Sequence, residues 1–296
     1  MPIGENSRPV AAITGASSGF GKIYARRLAA EGCDLLLVAR RGALLDEIAA
    51  DLTAQFGVAV ETLVADLSKL DEVEKVERRL ESLPTLRYLV NNAGFGGNQR
   101  FPDVFLDVET AMIQTHCLAT MRLTRAALIP MKAQNKKRGA GFIVNVASVA
   151  GFLAGDGAAD YTATKAFIIS FSRSLQCDVG PIGVRVQALC PGFTRTGFHD
   201  AETMRFSTIK ETVPNFLWLD AERVVDASLK ALRRRLLPRV VCIPSLKYKI
   251  AVFFGSARAF APLRVLFSRG RVRRRSTANA DRFPFAFQRD AARRRV

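Results

Sequence analysis

Tyr161 and Lys165 are the residues whose types and spacing most clearly suggest chemistry, because they are spaced i, i+4 in a predicted helix. At this spacing both side chains fall on one helix face. A phenol normally has a pKa near ~10, and an adjacent ammonium group stabilises the phenolate and lowers that pKa. Such a pair can act as an acid toward a carbonyl oxygen, although the same spacing alone also describes an ordinary exposed helix face.

Ser148 is the third candidate for this chemistry. It directly follows an apolar stretch, 142–147, that is typical of a buried strand. Its hydroxyl could donate a hydrogen bond to the same carbonyl oxygen. The order and spacing of the three residues favour a site for proton transfer.

A glycine-rich segment with the sequence TGASSGFG, residues 14–21, comes after the first apolar strand and opens a helix. Glycines there let the backbone turn tightly and approach a pyrophosphate, which is held by the free amides and the positive end of the helix dipole. A glycine-rich turn that binds nothing is the alternative. The strand before it and the helix after it favour the nucleotide site.

Arg40 and Arg41 end the second strand, roughly 20 residues after the glycine loop, where an acidic side chain would bind the ribose of NAD. Arginine instead offers planar donors for a phosphate, so Arg40, together with Arg41, indicates NADP. Two arginines that simply end a solvated strand are the alternative. Asp66, followed by Leu67, is placed to meet an adenine amino group, or else to cap the helix that begins near Lys69.

The elements that must position these residues alternate between short apolar strands and helical stretches. Such alternation predicts a doubly wound α/β fold, in which a seven-stranded parallel sheet is covered by crossover helices. The predicted strands are 9–14, 34–39, 58–65, 86–91, 141–147, 183–190 and 239–243. The predicted helices are 19–30, 42–56, 69–82, 108–131, 161–179 and 221–236.

Composition excludes several classes of protein and of site. The 296 residues have 49% hydrophobic content and ordinary glycine and proline content, which exclude collagen-like and mainly disordered chains. Five scattered cysteines and only two histidines leave little for a metal site, so we expect none, nor a histidine-led triad. The cysteine pattern and the lack of a signal-peptide pattern indicate a reducing cytoplasm.

These motifs together resemble the short-chain dehydrogenase/reductase family over roughly residues 8–245. The matching segments are 14–21, 91–94 (NNAG), Ser148, 161–165 (YTATK) and 191–196 (PGFTRT), in the order of the family. The resemblance implies a Rossmann-type enzyme that moves a hydride between the nicotinamide and a carbonyl or alcohol carbon. It implies that Tyr161 is the acid/base, that Lys165 lowers its pKa and holds the nicotinamide ribose, and that Ser148 orients the substrate oxygen.

The resemblance also implies an NADP(H) site. Asn92 to Gly94 would support the sheet beside the cofactor, and Pro191, Gly192 and Thr194 would lie along its nicotinamide end. Residues 37–41 and 214–218 resemble a branch that prefers NADP and acts on ketones or acyl-lipid carbonyls. The predicted cofactor-binding residues are Thr14, Gly15, Ser17, Ser18, Gly19, Phe20, Gly21, Arg40, Arg41, Asp66, Leu67, Asn92, Ala93, Gly94, Tyr161, Lys165, Pro191, Gly192 and Thr194.

His116 departs from the family, which usually has an asparagine at this position that holds a water in a proton relay to the lysine. An imidazole, with an ordinary pKa near ~6.5, could keep the relay and add pH dependence. It could equally break the relay, or be a core histidine satisfied by backbone groups. We include His116 among the predicted catalytic residues with these three hypotheses open.

The substrate side is predicted to consist of 95–105, 149–159 and 193–219, because ligands bind beyond the carboxyl ends of the strands. These segments have many aromatic residues and few charges, which favours an apolar carbonyl substrate. Loop aromatics that pack only on the protein are the alternative. The aromatic residues are Phe95, Phe101, Phe105, Phe152, Phe193, Phe198, Phe206, Phe216 and Trp218.

The chain is predicted to divide into a domain over 1–245 and a basic, amphipathic, partly disordered extension over 246–296. Residues 233–296 contain 18 Lys and Arg but only two acids, whereas residues 1–232 contain 26 bases and 25 acids. Apolar residues alternate with arginines there, which suits a helix lying on an anionic membrane surface. Packing against the domain and a solvated end are alternatives, and no nucleic-acid module surrounds the charge.

The sequence thus predicts a cytoplasmic NADP(H)-dependent oxidoreductase that reduces a ketone or acyl-lipid carbonyl and is peripherally attached to membranes. The family resemblance implies a homodimer or homotetramer. The rival hypothesis is a nucleotide-sensing protein with weak turnover, in which His116 is the lesion and the basic tail is the interaction surface.

Overall fold

The structure is a computed structural model that describes residues 3–4, 8–97, 101–134, 141–153, 158–196, 209–234 and 239–256. It confirms the predicted α/β fold with a seven-stranded parallel sheet. The strand order is β3-β2-β1-β4-β5-β6-β9, so the order reverses between β1 and β4. In open sheets of this kind ligands bind at such a reversal, beyond the carboxyl ends of the strands.

The strands of the main sheet lie close to the predicted ranges. They are β1 (Val10–Thr14), β2 (Asp34–Ala39), β3 (Val60–Val64), β4 (Leu86–Asn91), β5 (Gly141–Val146), β6 (Val184–Leu189) and β9 (Val241–Cys242). Two further strands, β7 (Thr194–Arg195) and β8 (Leu219–Asp220), pair with each other in parallel. This small sheet joins the two ends of the predicted substrate segment 193–219.

The helices cover both faces of the sheet. They are α1 (Gly19–Ala30), α2 (Gly42–Phe56), α3 (Leu70–Glu81), α4 (Leu106–Ile113), α5 (Thr120–Ala133), α6 (Ala159–Val179), α7 (Ile209–Thr212), α8 (Ala221–Leu232) and α9 (Leu246–Ser256). Residues 235–236 of the predicted helix 221–236 lie outside the described residues.

The two largest apolar clusters of the core lie on opposite faces of the sheet. Ile13 and Leu37 face the cluster that contains α1, α2 and α8, whereas Ala12 and Leu36 face the cluster that contains α3, α5 and the end of α6. Neighbouring residues of a strand thus point to opposite faces, as the period of two requires. Because both faces are buried, β1 and β2 are apolar except for one polar residue at an end of each, Thr14 and Asp34, and this apolar pattern predicted them.

The predicted helix 108–131 is interrupted by a π-helical segment, Gln114–Ala119, between α4 and α5. The sequence did not predict this interruption. A π segment adds a residue to one turn and is frequent at functional sites. Here it contains His116, which is turned into the protein interior.

The predicted division of the chain at residue 245 comes before α9. Close contacts divide the chain into the units Met1–Ala257 and Arg258–Val296. Helix α9 belongs to the first unit, where Tyr248 and Val252 join an apolar cluster. The predicted tail beyond residue 256 lies outside the described residues. Among the described helices, none is long and apolar enough to cross a membrane.

Candidate active site

The glycine loop lies at the carboxyl end of β1, where the strand order reverses. Gly15 and Gly19 have φ of 64° and 55°, the left-handed region that favours glycine. A Cβ atom at Gly21 would lie 2.3 Å from the carbonyl oxygen of Gly15, and one at Gly15 would lie 2.8 Å from Nδ2 of Asn92. The loop therefore requires glycine for both conformation and space.

Residues Asn92 and Ala93, which follow β4, are hydrogen bonded to this loop. Asn92 Nδ2 donates to the carbonyl oxygens of Thr14 (2.9 Å) and Gly15 (3.2 Å). The Thr14 hydroxyl oxygen accepts hydrogen bonds from the backbone N–H groups of Asn92 and Ala93, each at 3.0 Å. Thr14 and Asn92 thus hold the glycine loop in place.

The amino end of α1 fits a diphosphate. Ser18 precedes the helix with extended backbone, and its side chain does not cap the first turn. The first amides of a helix have no partner within it, and they and the helix dipole attract anions. The Ser17 and Ser18 hydroxyls accept hydrogen bonds from Nη2 of Arg41, at 2.9 and 3.0 Å. Arg41 therefore brings a positive charge to this end of the helix.

Other predicted cofactor residues differ in their surroundings. Arg40 is exposed, and no side-chain partner is found for it in the described part of the chain, whereas Leu67 is buried and Phe20 packs against the core. The Asp66 carboxylate accepts hydrogen bonds from the backbone N–H (3.0 Å) and hydroxyl (2.8 Å) of Ser68. The hypothesis that Asp66 caps α3 is wrong, because Lys69 occupies that position without a side-chain cap.

Three of the four predicted catalytic side chains, those of Ser148, Tyr161 and Lys165, converge at the carboxyl end of β5. Ser148 follows that strand, and its hydroxyl oxygen accepts from the N–H of Ala150 at 3.1 Å. The Tyr161 phenol is hydrogen bonded to Ser148, and Nζ of Lys165 lies 5.5 Å from the centre of the Tyr161 ring. Lys165 donates to the Val146 carbonyl at 3.0 Å. The end of β5 and the first two turns of α6 therefore supply the residues of one site.

The net pKa of Tyr161 is raised rather than lowered in this arrangement. Burial raises the pKa of the Tyr161 phenol to about 12, and the hydrogen bond with Ser148 opposes this only in part. Burial also lowers the pKa of the Lys165 ammonium to about 8. Both charged forms are disfavoured because each group leaves water on burial. At neutral pH the phenol is protonated.

His116 is buried and uses both ring nitrogens. The backbone N–H of Phe95 donates to Nε2 at 3.1 Å, which assigns the proton to Nδ1. Nδ1 then donates to the Thr164 hydroxyl at 2.9 Å, and that hydroxyl donates to the backbone carbonyl of Tyr161 at 2.9 Å. A Cβ atom at Gly94 would lie 2.5 Å from Nε2, so glycine there admits the ring.

The electrostatic surroundings keep the His116 ring neutral. Burial, and then the nearby charge of Lys165, lower its pKa well below the ordinary value of 6.5. Of the three hypotheses, this geometry corresponds to a core histidine satisfied within the protein, because both nitrogens have partners at hydrogen-bond distance. The ring lies edge-on to that of Tyr161, with 6.0 Å between centres.

The Pro191–Thr194 turn lies against α9. The Pro191 carbonyl accepts from the N–H of Val149 at 3.0 Å, beside Ser148, and the Thr194 hydroxyl donates to the Gly192 carbonyl at 2.9 Å. The Tyr248 ring covers Gly192, where a Cβ atom would lie 2.1 Å from the ring. The sequence did not single out Tyr248, because no motif relates a residue of the C-terminal extension to this turn.

A cavity lies beside Tyr161. Its lining residues are Gly97, Phe101, Val104, Glu109, Met112, Ala158, Ala159, Asp160 and Tyr161. Two predicted substrate segments thus contribute to it, and α4 contributes unexpectedly. Burial, and secondarily the charge of and hydrogen bond with Asp160, raise the pKa of the Glu109 carboxyl. No local pattern predicts this pair, since the two residues lie on different helices.

The predicted substrate aromatics do not form one wall. Phe101 lines the cavity, whereas Phe193 and Trp218 pack together with 5.8 Å between ring centres. Phe105 and Phe216 are exposed. Phe198 and Phe206 lie outside the described residues.

Comparison with known proteins adds a family match and several relatives. Residues 9–205 match the sequence pattern described as short chain dehydrogenase. A very-long-chain 3-oxoacyl-CoA reductase of Danio rerio is 34% identical over 192 residues, which are 63% of this chain and 58% of that protein. The chain therefore spans about three-fifths of that relative.

Two further relatives match over more of their length. An NADP-dependent 3-hydroxy acid dehydrogenase of Schizosaccharomyces pombe is 34% identical over 233 residues, 75% of this chain and 86% of that protein. The solved structure of a short-chain dehydrogenase from Sphingobium yanoikuyae in complex with NADPH is 34% identical, with a TM-score of 0.73 over 93% of this chain and 99% of that one.

Proposed function

This chain belongs to the short-chain dehydrogenase family, and on that premise we propose that it is an NADP(H)-dependent reductase of ketones or 3-oxoacyl thioesters. The observation that carries the proposal is the convergence of Ser148, Tyr161 and Lys165 beside a cavity and on the sheet edge that bears the glycine loop. When bound, the nicotinamide supplies the hydride for reduction or accepts it for oxidation.

Tyr161 is the proton donor in this proposal. Its phenol is protonated at neutral pH, the form required to protonate a carbonyl oxygen as the carbonyl carbon gains hydride. Ser148, hydrogen bonded to Tyr161, would hold the same oxygen at the correct distance. Lys165 places a positive charge near the phenol and stabilises the phenolate left after proton transfer.

The choice of NADP(H) rests on two arginines and on the relatives. Arg41 is anchored on Ser17 and Ser18 at the diphosphate end, and the exposed guanidinium of Arg40 is accessible to a 2′-phosphate. A guanidinium binds a phosphate through paired donors. The Schizosaccharomyces pombe relative is described as NADP-dependent, and the Sphingobium yanoikuyae structure contains NADPH.

The cavity supports a substrate with an apolar body next to the carbonyl. Phe101, Val104 and Met112 contribute apolar surface to this cavity. The Danio rerio relative is described as a 3-oxoacyl-CoA reductase, and the Schizosaccharomyces pombe relative as a 3-hydroxy acid dehydrogenase. A 3-oxoacyl thioester or a similarly apolar ketone would fit both the apolar surface of the cavity and the substrates named for these relatives.

The test is a fluorescence titration of the purified chain with NADPH and NADH, followed by absorbance assays with ketones and 3-oxoacyl thioesters. We expect NADPH to bind more tightly and to be oxidised by at least one of these substrates. Tyr161→Phe removes the proton donor, so turnover should fall by about 100-fold or more while NADPH binding persists. Unchanged turnover in Tyr161→Phe would contradict the mechanism. Binding without turnover would instead support the nucleotide-sensing hypothesis.

A further inference from the structure

Helix α9 has one face that packs on the protein. Tyr248 and Val252 belong to an apolar cluster with Val149 and Ile168. On the same side, a Cβ atom at Gly255 would lie 2.5 Å from the Leu153 side chain. Positions 248, 252 and 255 are spaced by four and three residues, so they follow one side of the helix.

The opposite face of α9 is also apolar, but it is exposed. Its residues are Leu246, Ile250, Phe253 and Phe254, with 70%, 50%, 71% and 51% of their surface accessible. These positions are spaced by four, three and one residues, so at 100° per residue they form one stripe. An ordinary surface helix has polar residues on its solvent side, so this stripe requires an explanation.

Two lysines border the stripe on either side. Lys247 and Lys249 are exposed and lie on the two edges between the exposed and the packed faces. Nζ of Lys247 donates to the Phe216 carbonyl at 3.0 Å and lies 5.5 Å from the centre of that ring. Phe216 is itself 64% exposed, so the apolar surface continues from α9 onto the predicted substrate segment.

We propose that the exposed face of α9, together with Phe216, binds an anionic lipid surface. Apolar side chains in the centre and lysines at both edges match an interfacial helix, in which the rings enter the acyl boundary and the ammonium groups reach the lipid phosphates. Residues 258–296 add twelve arginines against two aspartates, which favours the same anionic surface.

Charge argues against the other occupants of this face. A second copy of the chain, seated on the same face by two-fold symmetry, would bring its own Lys247 and Lys249 close to those of the first. Nucleic acid would use the lysines but not the four apolar side chains, because its accessible outer surface is phosphate.

The lipid-facing helix is bonded to the active-site turn. The Tyr248 hydroxyl accepts from the N–H of Phe193 at 3.1 Å and donates to the Leu217 carbonyl at 2.9 Å. One side chain of α9 therefore holds both ends of the predicted substrate segment. This connection would place a bound membrane next to the elements that receive an apolar substrate, but the binding itself does not depend on the identity of the reaction.

The experiment compares sedimentation of the full chain with vesicles of phosphatidylcholine alone and with vesicles that contain 30% phosphatidylserine. We expect binding to the anionic vesicles to be at least 10-fold stronger and to weaken in high salt. Phe253→Ser combined with Phe254→Ser should reduce anionic binding at least 10-fold. Lys249→Glu should reduce binding to anionic vesicles and leave binding to neutral vesicles unchanged.

Leu70→Ser is the matched control, because Leu70 on α3 is 54% exposed, much as Phe254 is, but lies outside the stripe. It should bind vesicles like the original chain. NADPH titration of every variant reports folding and the nucleotide site independently of lipid. The proposal is overturned if the double phenylalanine variant binds anionic vesicles as well as the original chain, since the arginines then suffice. It is also overturned if the original chain is an oligomer that does not bind vesicles and the double phenylalanine variant is a monomer.

Discussion

The imidazole Nδ1 of His116 lies 2.9 Å from the hydroxyl of Thr164, and this contact joins the π-helical segment to the turn of α6 that carries Tyr161. The Thr164 hydroxyl in turn donates a hydrogen bond to the backbone carbonyl of Tyr161. On the other side of the ring, Nε2 accepts a hydrogen bond from the backbone N–H of Phe95. Three segments around the predicted proton donor are thus fixed by one neutral histidine.

His116→Leu and Thr164→Val should both lower kcat with little change in the Kd for NADPH. Each removes the contact that fixes the Tyr161 turn, and a small displacement of a catalytic group can reduce the rate by about 10-fold to 100-fold. His116→Asn, which keeps donor and acceptor groups, should retain more activity than His116→Leu. The measurement is steady-state kinetics together with fluorescence titration.

The pH profile separates positioning by His116 from proton relay through it. Because burial keeps the pKa of His116 well below 6.5, the kcat of the original chain should show no ionisation of this residue between pH 6 and 8. An ionisation near pH 6.5 that disappears in His116→Asn would show that the ring takes part in proton transfer.

Folding stability should depend on pH through His116. The pKa of this group is lowered in the folded state, so below about pH 6.5 the unfolded chain binds more protons and the free energy of unfolding falls as pH falls. Between pH 7 and 5 the original chain should lose up to about 1.4 kcal/mol per pH unit more than His116→Asn. Urea unfolding at several pH values measures this difference. Parallel curves for the two proteins would contradict the buried neutral ring.

Lys165→Met should abolish turnover but stabilise the folded chain by about 2–3 kcal/mol at pH 7. This gain is smaller than the free energy that corresponds to the full pKa shift, because the substitution also removes the hydrogen bond to the Val146 carbonyl. The pKa of Lys165 is lowered to about 8 on folding, so burying the charged form is costly below that pH. In the original chain this cost should lessen as pH rises from about 8 toward 10.5, because the unfolded state there binds more protons. Urea unfolding at pH 7 and pH 9.5 measures both effects. A destabilised Lys165→Met would show that the bond to Val146 outweighs the burial of charge.

Arg40→Asp should shift the nucleotide preference from NADPH toward NADH. Loss of one charge-assisted contact to a phosphate weakens NADPH binding by about 10-fold to 100-fold, while NADH has no 2′-phosphate to lose. Arg41→Ala should weaken both nucleotides, since Arg41 is bonded to Ser17 and Ser18 of the diphosphate loop. Fluorescence titration measures the affinity of each variant for NADPH and for NADH. Arg78→Asp, at an exposed position of α3, is the control for the change in net charge. An unchanged ratio of affinities in Arg40→Asp would remove the assignment of the 2′-phosphate to that side chain.

Much of the fold follows from local pattern. Continuous apolar strands alternating with amphipathic stretches predicted the parallel sheet, because strands buried on both faces need apolar residues at every position. The helix Gly42–Phe56 begins and ends where the pattern indicated. The π-helical segment Gln114–Ala119 could not be predicted from the sequence, because one extra residue in a helical turn does not visibly change the periodic pattern of apolar residues.

The sequence by itself determined the sheet, the glycine loop and the candidate catalytic residues Ser148, Tyr161 and Lys165, because each lies within or directly after one strand, turn or helix that has a local pattern. Only the tertiary structure decided the state of His116, the pairing of Glu109 with Asp160 and the contact of Tyr248 with Gly192. These depend on distances between segments far apart in the chain. The same reason explains the pKa of Tyr161. Spacing places an ammonium group nearby, but burial, which only the packed structure defines, decides the sign of the shift.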